Sequence, residues 1–300
     1  MKKIIICLLC LVLLCGCKSQ NLTQENKMTV VTTIFPLYDF ARAVGGDCID
    51  VKMLIRPGSE VHSYDPLPSD MRLVYDCDLF LYIGGESDAW VDTIISDTDI
   101  NSLSLIDTVS VIHEEHEHHD KESHDHADEH IWTSPENAVI MINSICDSLC
   151  KADPQNTDIY TANCKAYAKK INKASAEIYD AVSQFDNPFM LVADRFPFAY
   201  FAEQYGIDYE AAFDGCAVST DISLKTMARL TDTIEAKGIK AVFCTELSNK
   251  NIANALNQEL GVDVIELHSA HNVTLDDFNS GITYIDILYR NIRALERGLN

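Results

Sequence analysis

Apolar runs alternate with segments of helical spacing along the first half of the chain. Residues 28–34, 49–55 and 77–83 are rich in β-branched and aliphatic residues, which is typical of strands. Residues 37–44 and a segment that opens at Pro68 have the spacing of helices. Strands that alternate with helices form parallel sheets, so this pattern predicts an α/β fold.

The middle of the chain predicts one long helix. Ser134-Pro135-Glu136-Asn137 is typical of a helix start and precedes a predicted helix over 138–151. Residues 157–185 then contain neither Gly nor Pro, and a helix of this length would span roughly 40 Å. We therefore predict an α/β fold of two lobes, each with a mainly parallel sheet, joined by one long rigid helix.

Beyond Pro188 the alternation of strands and helices restarts and predicts a second lobe. The predicted strands are 189–193, 241–245 and 262–267, and the predicted helices are 198–205, 223–237, 250–260 and 281–300. The predicted boundaries are 28–153 for the N-terminal lobe, 154–186 for the connecting helix and 187–300 for the C-terminal lobe.

Residues 1–16 have the pattern of an export signal. Lys2-Lys3 precede the apolar run 4–14, which is too short to span a bilayer. The run ends in Leu14-Cys15-Gly16-Cys17, which resembles the lipobox of bacterial lipoproteins. The resemblance implies removal of residues 1–16, a lipid on Cys17 and a tether over 17–27. The alternative is an ordinary secretory signal with incidental cysteines.

Composition narrows the classes of function. A net charge of −23 argues against nucleic-acid binding, which requires a basic surface, and is compatible with collecting cations. No stretch after the signal is long and apolar enough to cross a membrane. Export would permit disulfides, but the later cysteines show no Cys-x-x-Cys pair that demands one.

The tract 113–130 carries seven of the ten histidines, interleaved with carboxylates. Such a composition indicates metal binding by a polar loop, although a solvated acidic loop is the alternative. His130 stands at its end, directly before the apolar Ile131-Trp132. We expect a low-affinity metal loop formed by His113, His116, His118, His119, His124 and His126.

Three further polar residues follow predicted strands. His62 lies in the loop after the second strand, and Glu246 and His268 follow two strands of the second lobe. Ligands of parallel α/β sheets bind at the carboxyl ends of the strands. These positions are therefore candidates for a binding site.

Two motifs carry a family resemblance that covers essentially the whole mature chain. Pro57-Gly58-x-x-x-His62-x-x-x-Pro66-x-Pro68-Ser69-Asp70 and, later, His130-Ile131-Trp132-x-Ser134-Pro135 resemble the solute-binding lipoproteins of zinc and manganese ABC importers. The resemblance implies two α/β lobes bridged by a rigid helix, with the metal in the cleft. By motif, it implies that His62 and His130 are ligands.

The other two ligand positions of this family do not map cleanly. Arg195 stands where the third ligand is expected, and a guanidinium offers no lone pair to a metal. We expect Arg195 to orient a carboxylate or to form a salt bridge. In place of the family's late Asp stands Leu267-His268-Ser269, which we interpret as a replacement of Asp by His.

The predicted metal ligands are thus His62, His130, His268 and Glu246. Asp194 or a water molecule is the alternative fourth ligand, and Glu246 could instead be a strand-end carboxylate that accepts backbone hydrogen bonds. His271 is expected to be a loop or helix-capping residue. Three nitrogens with at most one carboxylate favour Zn²⁺ over Mn²⁺.

The predicted function is the capture of Zn²⁺, as transported ligand, and its delivery to an ABC-importer permease without any catalysis. The protein would be a monomer held by its lipid on the extracytoplasmic side of the membrane. Deleting residues 114–128 should leave the tight site intact. Alternatives are a manganese receptor, and a surface adhesin or metal-storage lipoprotein.

A metalloenzyme is the remaining alternative. His126-Ala127-Asp128-Glu129-His130 matches the His-x-x-Glu-His pattern of inverted zinc peptidases. The match lies in a segment made mostly of His, Asp and Glu, where it arises easily by chance. That motif also requires a helix, and Pro135 follows too soon.

Overall fold

A computed structural model describes residues 27–96, 98–114, 126–213, 215 and 222–299. No helix in this part of the chain has the length and apolar character needed to cross a membrane. Several sequence predictions lie outside the described residues: the signal segment 1–16, Cys17, the tether up to residue 26, His116, His118, His119 and His124.

The N-terminal lobe is built on a parallel sheet of four strands in the order β2-β1-β3-β4. Its central strands are apolar and buried, which suits a sheet covered on both faces. The strands are β1 (Met28–Thr32), β2 (Ile49–Met53), β3 (Leu79–Tyr82) and β4 (Ser102–Ser104). The helices are α1 (Phe35–Gly45), α2 (Pro68–Tyr75), α3 (Ala89–Ile95) and α4 (Pro135–Ala152).

A two-stranded antiparallel ladder flanks the tract rich in histidine. It pairs β5 (His113–Glu114) with β6 (His126–Ala127). The ladder brings the two ends of the tract together before the chain enters the short 3₁₀ helix Ile131–Thr133 and then α4. Ser134 caps α4 by accepting a hydrogen bond from the backbone N–H of Asn137, as the sequence predicts.

The connecting helix α5 (Thr157–Val182) has 26 residues and is therefore about 39 Å long. One face of it is buried at helical spacing, including Tyr160, Tyr167, Ile171 and Ile178. It packs against α1 and α4 of the N-terminal lobe and against the final helix of the C-terminal lobe. The predicted long helix between two lobes is confirmed.

The C-terminal lobe contains a second parallel sheet of four strands, in the order β10-β9-β7-β8. Glycine in the left-handed conformation ends several of its helices, as at Gly238 (φ 66°). The strands are β7 (Phe189–Arg195), β8 (Asp208–Phe213), β9 (Ala241–Cys244) and β10 (Asp263–Glu266). The helices are α6 (Ala199–Tyr205), α7 (Leu224–Lys237), α8 (Asn251–Leu260), α9 (Leu275–Ser280) and α10 (Tyr284–Gly298).

The two lobes share one hydrophobic core. The largest cluster of buried residues includes Val30 and Leu79 from the first sheet, Ile171 from α5, and Val192 and Phe243 from the second sheet. Loops that follow the carboxyl ends of both sheets meet in the cleft between the lobes, where the backbone N–H of Gly58 donates to the carbonyl of Val273.

Candidate metal centre

Three histidines from distant parts of the chain meet between the lobes. The potential ligand nitrogens of His62, His130 and His271 all lie within 4.8 Å of one another. The ring centroids are 5.6 Å apart for His62 and His130, 4.9 Å for His62 and His271, and 5.2 Å for His130 and His271. His62 and His130 belong to the N-terminal lobe and His271 to the C-terminal lobe, so the group bridges the cleft.

His62 is carried by the loop that follows β2. The Oγ of Ser87 lies 3.4 Å from Nδ1 of His62, and a carboxylate oxygen of Glu129 lies 3.7 Å from the same nitrogen. Glu129 in turn accepts hydrogen bonds from the backbone N–H of Ser87, at 2.9 Å, and from its hydroxyl. These contacts engage Nδ1 and leave Nε2 as the ring nitrogen that would bind a metal.

The loop of His62 is also tied directly to the opposite lobe. The backbone N–H of Gly58, whose φ of 81° suits glycine, donates to the carbonyl of Val273 at 2.8 Å. The amide of Asn272 donates to the carbonyls of Arg56 and Ser59, both at 2.9 Å. These three hydrogen bonds hold the loop of His62 against the loop of His271.

His130 is fully buried at the end of the tract rich in histidine. Its Nδ1 lies 2.8 Å from a carboxylate oxygen of Asp128, which also accepts the backbone N–H of His130. The carbonyl of Asp128 accepts a hydrogen bond from the hydroxyl of Tyr200 at 2.6 Å, so the C-terminal lobe supports this turn. A carboxylate on Nδ1 fixes the tautomer that presents Nε2 to a metal.

His271 lies in the loop after β10. Its backbone N–H donates to the carboxylate of Glu246 at 3.1 Å, and its ring centroid lies 4.8 Å from that of Trp132. The indole N–H of Trp132 donates to the carbonyl of Ser269 at 2.8 Å. Trp132, which stands two residues after His130 in the family motif, therefore holds the loop of the opposite lobe.

The structure places His268 outside the group of three histidines, contrary to the sequence prediction. Its Nδ1 accepts the backbone N–H of Ala270 at 2.9 Å, and its own backbone is held by the side chain of Asn291. Ala270 has a φ of 63°, a left-handed conformation that turns the loop between the two histidines. The predicted ligand His268 is thus replaced in the cluster by His271, which the sequence interpretation assigned to the loop.

Glu246 does not join the group either. Its two carboxylate oxygens accept hydrogen bonds from the backbone N–H of Ser269 at 2.7 Å, from the hydroxyl of Ser269 at 2.6 Å and from the N–H of His271. This is the alternative that the sequence left open, a strand-end carboxylate that accepts backbone hydrogen bonds. Glu246 positions the loop that carries His271.

Asp194 and Arg195 line the same cleft but lie outside the cluster. One oxygen of Asp194 accepts the hydroxyl of Thr245 at 2.7 Å, and the other accepts the backbone N–H of Arg195 at 2.9 Å. The guanidinium of Arg195 donates to the carboxylate of Glu60 at 3.2 Å. Arg195 therefore forms an ion pair between the lobes.

Burial favours the neutral form of His62 and His271. It lowers the pKa of His62 to about 4, and the neighbouring His130 and Arg195 act in the same direction. The pKa of His271 is lowered well below its usual value by burial, by His130 and by His62. Neutral imidazoles keep their lone pairs at pH 7, which is the form that binds a metal ion.

A cavity of about 470 Å³ adjoins the cluster on the side of the C-terminal lobe. His62 and His271 form part of its wall, together with Glu60, Asp194 and Arg195. The cluster is therefore reached from this cavity. Its donors are nitrogens alone, a set that suits zinc better than the harder manganese ion.

Two relatives of known name match nearly the whole chain. Zinc-binding lipoprotein AdcA of Streptococcus pneumoniae is 29% identical over 308 residues, which cover 99% of this chain and 61% of AdcA. The chain thus spans about three fifths of the length of that relative. High-affinity zinc uptake system protein ZnuA of Bacillus subtilis is 27% identical over 304 residues, covering 97% of this chain and 95% of that protein.

The solved structure of the Zn(II)-bound ZnuA-like domain of Streptococcus pneumoniae AdcA superimposes with a TM-score of 0.76 at 25% identity. The match covers 91% of this chain and 98% of that domain. The family model described as "Zinc-uptake complex component A periplasmic" matches residues 30–298. The predicted resemblance is thereby confirmed, and the chain belongs to the ZnuA family.

Proposed function

We propose that this protein captures Zn²⁺ in the cleft between its lobes and delivers it to the permease of an ABC importer. The observation that carries the proposal is the convergence of His62, His130 and His271 from two lobes, with ligand nitrogens within 4.8 Å of one another. Zinc is bound by imidazole nitrogen at about 2.0–2.1 Å, so the nitrogens around one tetrahedral ion lie about 3.4 Å apart. A modest inward shift of the three rings gives that spacing. The function is binding and release, with no catalytic step.

The donor set favours zinc over manganese. The cluster contains three nitrogens, and the nearby carboxylates of Asp128, Glu129 and Glu246 are engaged in hydrogen bonds that orient the histidines or their loops. Manganese prefers oxygen donors. The names of the relatives AdcA and ZnuA, both zinc-binding or zinc-uptake proteins, support the same assignment.

The proposal includes an extracytoplasmic location. Residues 1–16 act as an export signal, and Cys17 carries the lipid that holds the monomeric protein at the membrane through the tether 17–27. The lobes comprise residues 28–153 and 187–300, with 154–186 as the connection. The name of the relative AdcA, a lipoprotein, supports this location.

The tract rich in histidine is proposed as a weak collector of zinc ions. His113 is exposed and directly follows Ile112, whose backbone N–H donates a hydrogen bond to the hydroxyl of Tyr200. The tract thus begins and ends beside the cleft, because His130 is the last of its histidines. Ions held there weakly would be concentrated near the tight site.

Zinc titration of the purified protein, by competition with a chromophoric chelator, tests the assignment. His62→Ala and His271→Ala should each weaken binding by more than about a hundredfold, since each removes a direct ligand. His268→Asn is the matched control, because its amide oxygen can still accept the N–H of Ala270. A loss of tight binding in His268→Asn with wild-type affinity in His271→Ala would contradict the proposed ligand set.

A further inference from the structure

Gly215 brings the backbone of the C-terminal lobe close to the ring of His130. It is a buried residue that follows the end of β8, and it forms part of the cavity wall. A Cβ atom at this position would lie 3.3 Å from Cε1 and 3.5 Å from Nδ1 of the His130 ring. The C-terminal lobe thus approaches a histidine that belongs to the N-terminal lobe.

The glycine at this position is required for space and not for backbone conformation. Other glycines, such as Gly58 and Gly238, have a positive φ, but Gly215 does not. Alanine could therefore adopt the same backbone dihedral angles. Its Cβ atom would nevertheless lie 2.8 Å from the carbonyl oxygen of Phe196, in addition to its close approach to the ring of His130. A side chain at position 215 must therefore displace a neighbour.

Both neighbours of Gly215 are held in place by other contacts. Phe196 directly follows β7, and its ring stacks on that of Tyr209 with the centroids 3.7 Å apart. The ring of His130 is held through its Nδ1, which lies 2.8 Å from the carboxylate of Asp128. Extra volume in such a closely packed region shifts side chains and backbone.

A small shift of His130 is enough to impair metal binding. Bonds between zinc and imidazole nitrogen are about 2.0–2.1 Å long, and binding sites tolerate displacements of about 0.5 Å. His130 shares the cluster with His62 and His271, so a displaced ring moves one of the three nitrogens away from a common ion. The space at position 215 therefore bears on zinc affinity, although glycine has no side chain to bind the metal.

We propose that Gly215 is a positioning residue of the zinc site, because its missing side chain leaves the space in which the ring of His130 holds its ligand position. This inference rests on the proposed zinc-binding function. His130 is held on two sides, by Asp128 of its own lobe and by the backbone of Gly215 from the opposite lobe. The C-terminal lobe thus contributes a ligand, His271, and a support for a ligand of the other lobe.

The zinc affinity of Gly215→Ala, measured by competition with a chromophoric chelator, tests the inference. The affinity should fall about tenfold, the lower end of the loss expected when the support of a metal-binding histidine is removed. Gly298→Ala is the matched control, because Gly298 is also buried without a positive φ and its Cβ atom would lie 2.5 Å from the ring of Phe243. This control should lower thermal stability and leave zinc affinity unchanged.

Cobalt(II) provides a second measurement, because its visible absorption reports the coordination geometry of the ion. The spectrum of Gly215→Ala saturated with cobalt should differ from that of the wild type. Gly298→Ala should reproduce the wild-type spectrum, since a general loss of stability does not alter the ligands of the bound ion.

A double-mutant cycle with His130→Ala isolates the contact between Gly215 and the imidazole ring. In the His130→Ala background, Gly215→Ala should change zinc affinity by less than about twofold and should cost less thermal stability than in the wild type. If Gly215→Ala does not fold by itself, folding of the double variant would support the contact. Failure of both proteins to fold would overturn the inference, because Phe196 alone would then account for the glycine.

Wild-type zinc affinity and an unchanged cobalt spectrum in folded Gly215→Ala would overturn this inference and leave the proposed function intact. An equal loss of affinity in Gly298→Ala, or a tenfold loss that persists in the His130→Ala background, would also overturn it. Absence of tight zinc binding by the wild-type protein would overturn the proposed function itself.

Discussion

At the scale of single residues, the orientation of His130 depends on Asp128. The carboxylate bonds both Nδ1 and the backbone N–H of His130 in a fully buried setting. Replacing such a partner of a metal-binding histidine typically costs 10- to 100-fold in metal affinity. We expect Asp128→Ala to lower zinc affinity by about that factor in a chelator competition assay.

The control for this variant is Asp180→Ala, an exposed position on α5. It changes the net charge of the protein by the same amount as Asp128→Ala but does not alter any residue that contacts the three histidines. Equal zinc affinities for the two variants would show that Asp128 does not support His130. Thermal unfolding of both proteins without metal separates a loss of affinity from a loss of folding.

Sequence reasoning located two of the three clustered histidines. His62 and His130 belong to short motifs in which the spacing of Pro, Gly and Trp is recognisable, and the structure brings both into the cleft. Their role as ligands stays a prediction. His268 and His271 both follow the last strand, and only the left-handed turn at Ala270 decides which one faces the cleft. No local sequence pattern specifies that turn.

At the scale of elements, the ladder of β5 and β6 suggests how the tract rich in histidine can be shortened. Asp128 orients His130, so the deletion 114–128 expected from sequence would remove part of the site. Replacing only residues 115–125 with a short Gly-Ser turn would keep the paired residues His113 with Ala127 and Glu114 with His126.

This shortened protein should bind one zinc ion as tightly as the wild type, because it keeps the three clustered histidines and also Asp128, which orients His130. It should also lose the weaker ions that bind to the tract. Isothermal titration separates these two classes of site. Loss of the tight class would show that the tract supplies a ligand to the main site.

Sequence reasoning predicted most elements of both lobes and missed several others. The connecting helix lacks Gly and Pro and has a clear apolar face, so its existence was predictable. The sheet-edge strands β4 and β8 were not predicted. Neither has an apolar alternation strong enough to distinguish it from a loop, because an edge strand buries little side-chain surface.

Buried Asp39 joins three helices that were predicted separately. Its carboxylate accepts hydrogen bonds from the hydroxyl of Tyr167 on α5, from the backbone N–H of Tyr284 at the start of α10, and from Arg42 on its own helix. Burial raises the pKa of Asp39, which these donors oppose. Removing one donor leaves the buried carboxylate of Asp39 with fewer hydrogen bonds than it needs.

Tyr167→Phe should therefore lower the free energy of unfolding by about 1–3 kcal/mol. Tyr179→Phe is the control on the same helix, since 62% of that side chain is exposed, and it should change stability little. Chemical denaturation of both variants measures the difference. Equal stabilities would mean that the hydrogen bond to Asp39 does not hold the lobes to α5.

At the scale of the whole molecule, a two-lobed protein need not unfold in two steps. Sequence reasoning predicted the two lobes from the restart of the alternation after Pro188, but it could not show that their cores merge. The largest buried cluster runs through both sheets and α5, and hydrogen bonds such as Gly58 to Val273 join the lobes at the cleft. Because the lobes share these contacts, unfolding of one lobe would expose buried residues of the other.

We therefore expect one calorimetric transition for the metal-free protein, and one transition at higher temperature when zinc is added. Zinc at a hundred times its dissociation constant should stabilise the folded state by about 2.7 kcal/mol, since it binds the folded protein and not the unfolded chain. His271→Ala should remove most of this shift, because it takes the C-terminal lobe out of the cluster. Two separate transitions, with zinc moving only one of them, would mean that a single lobe binds the ion and that the cleft between the lobes is not the site.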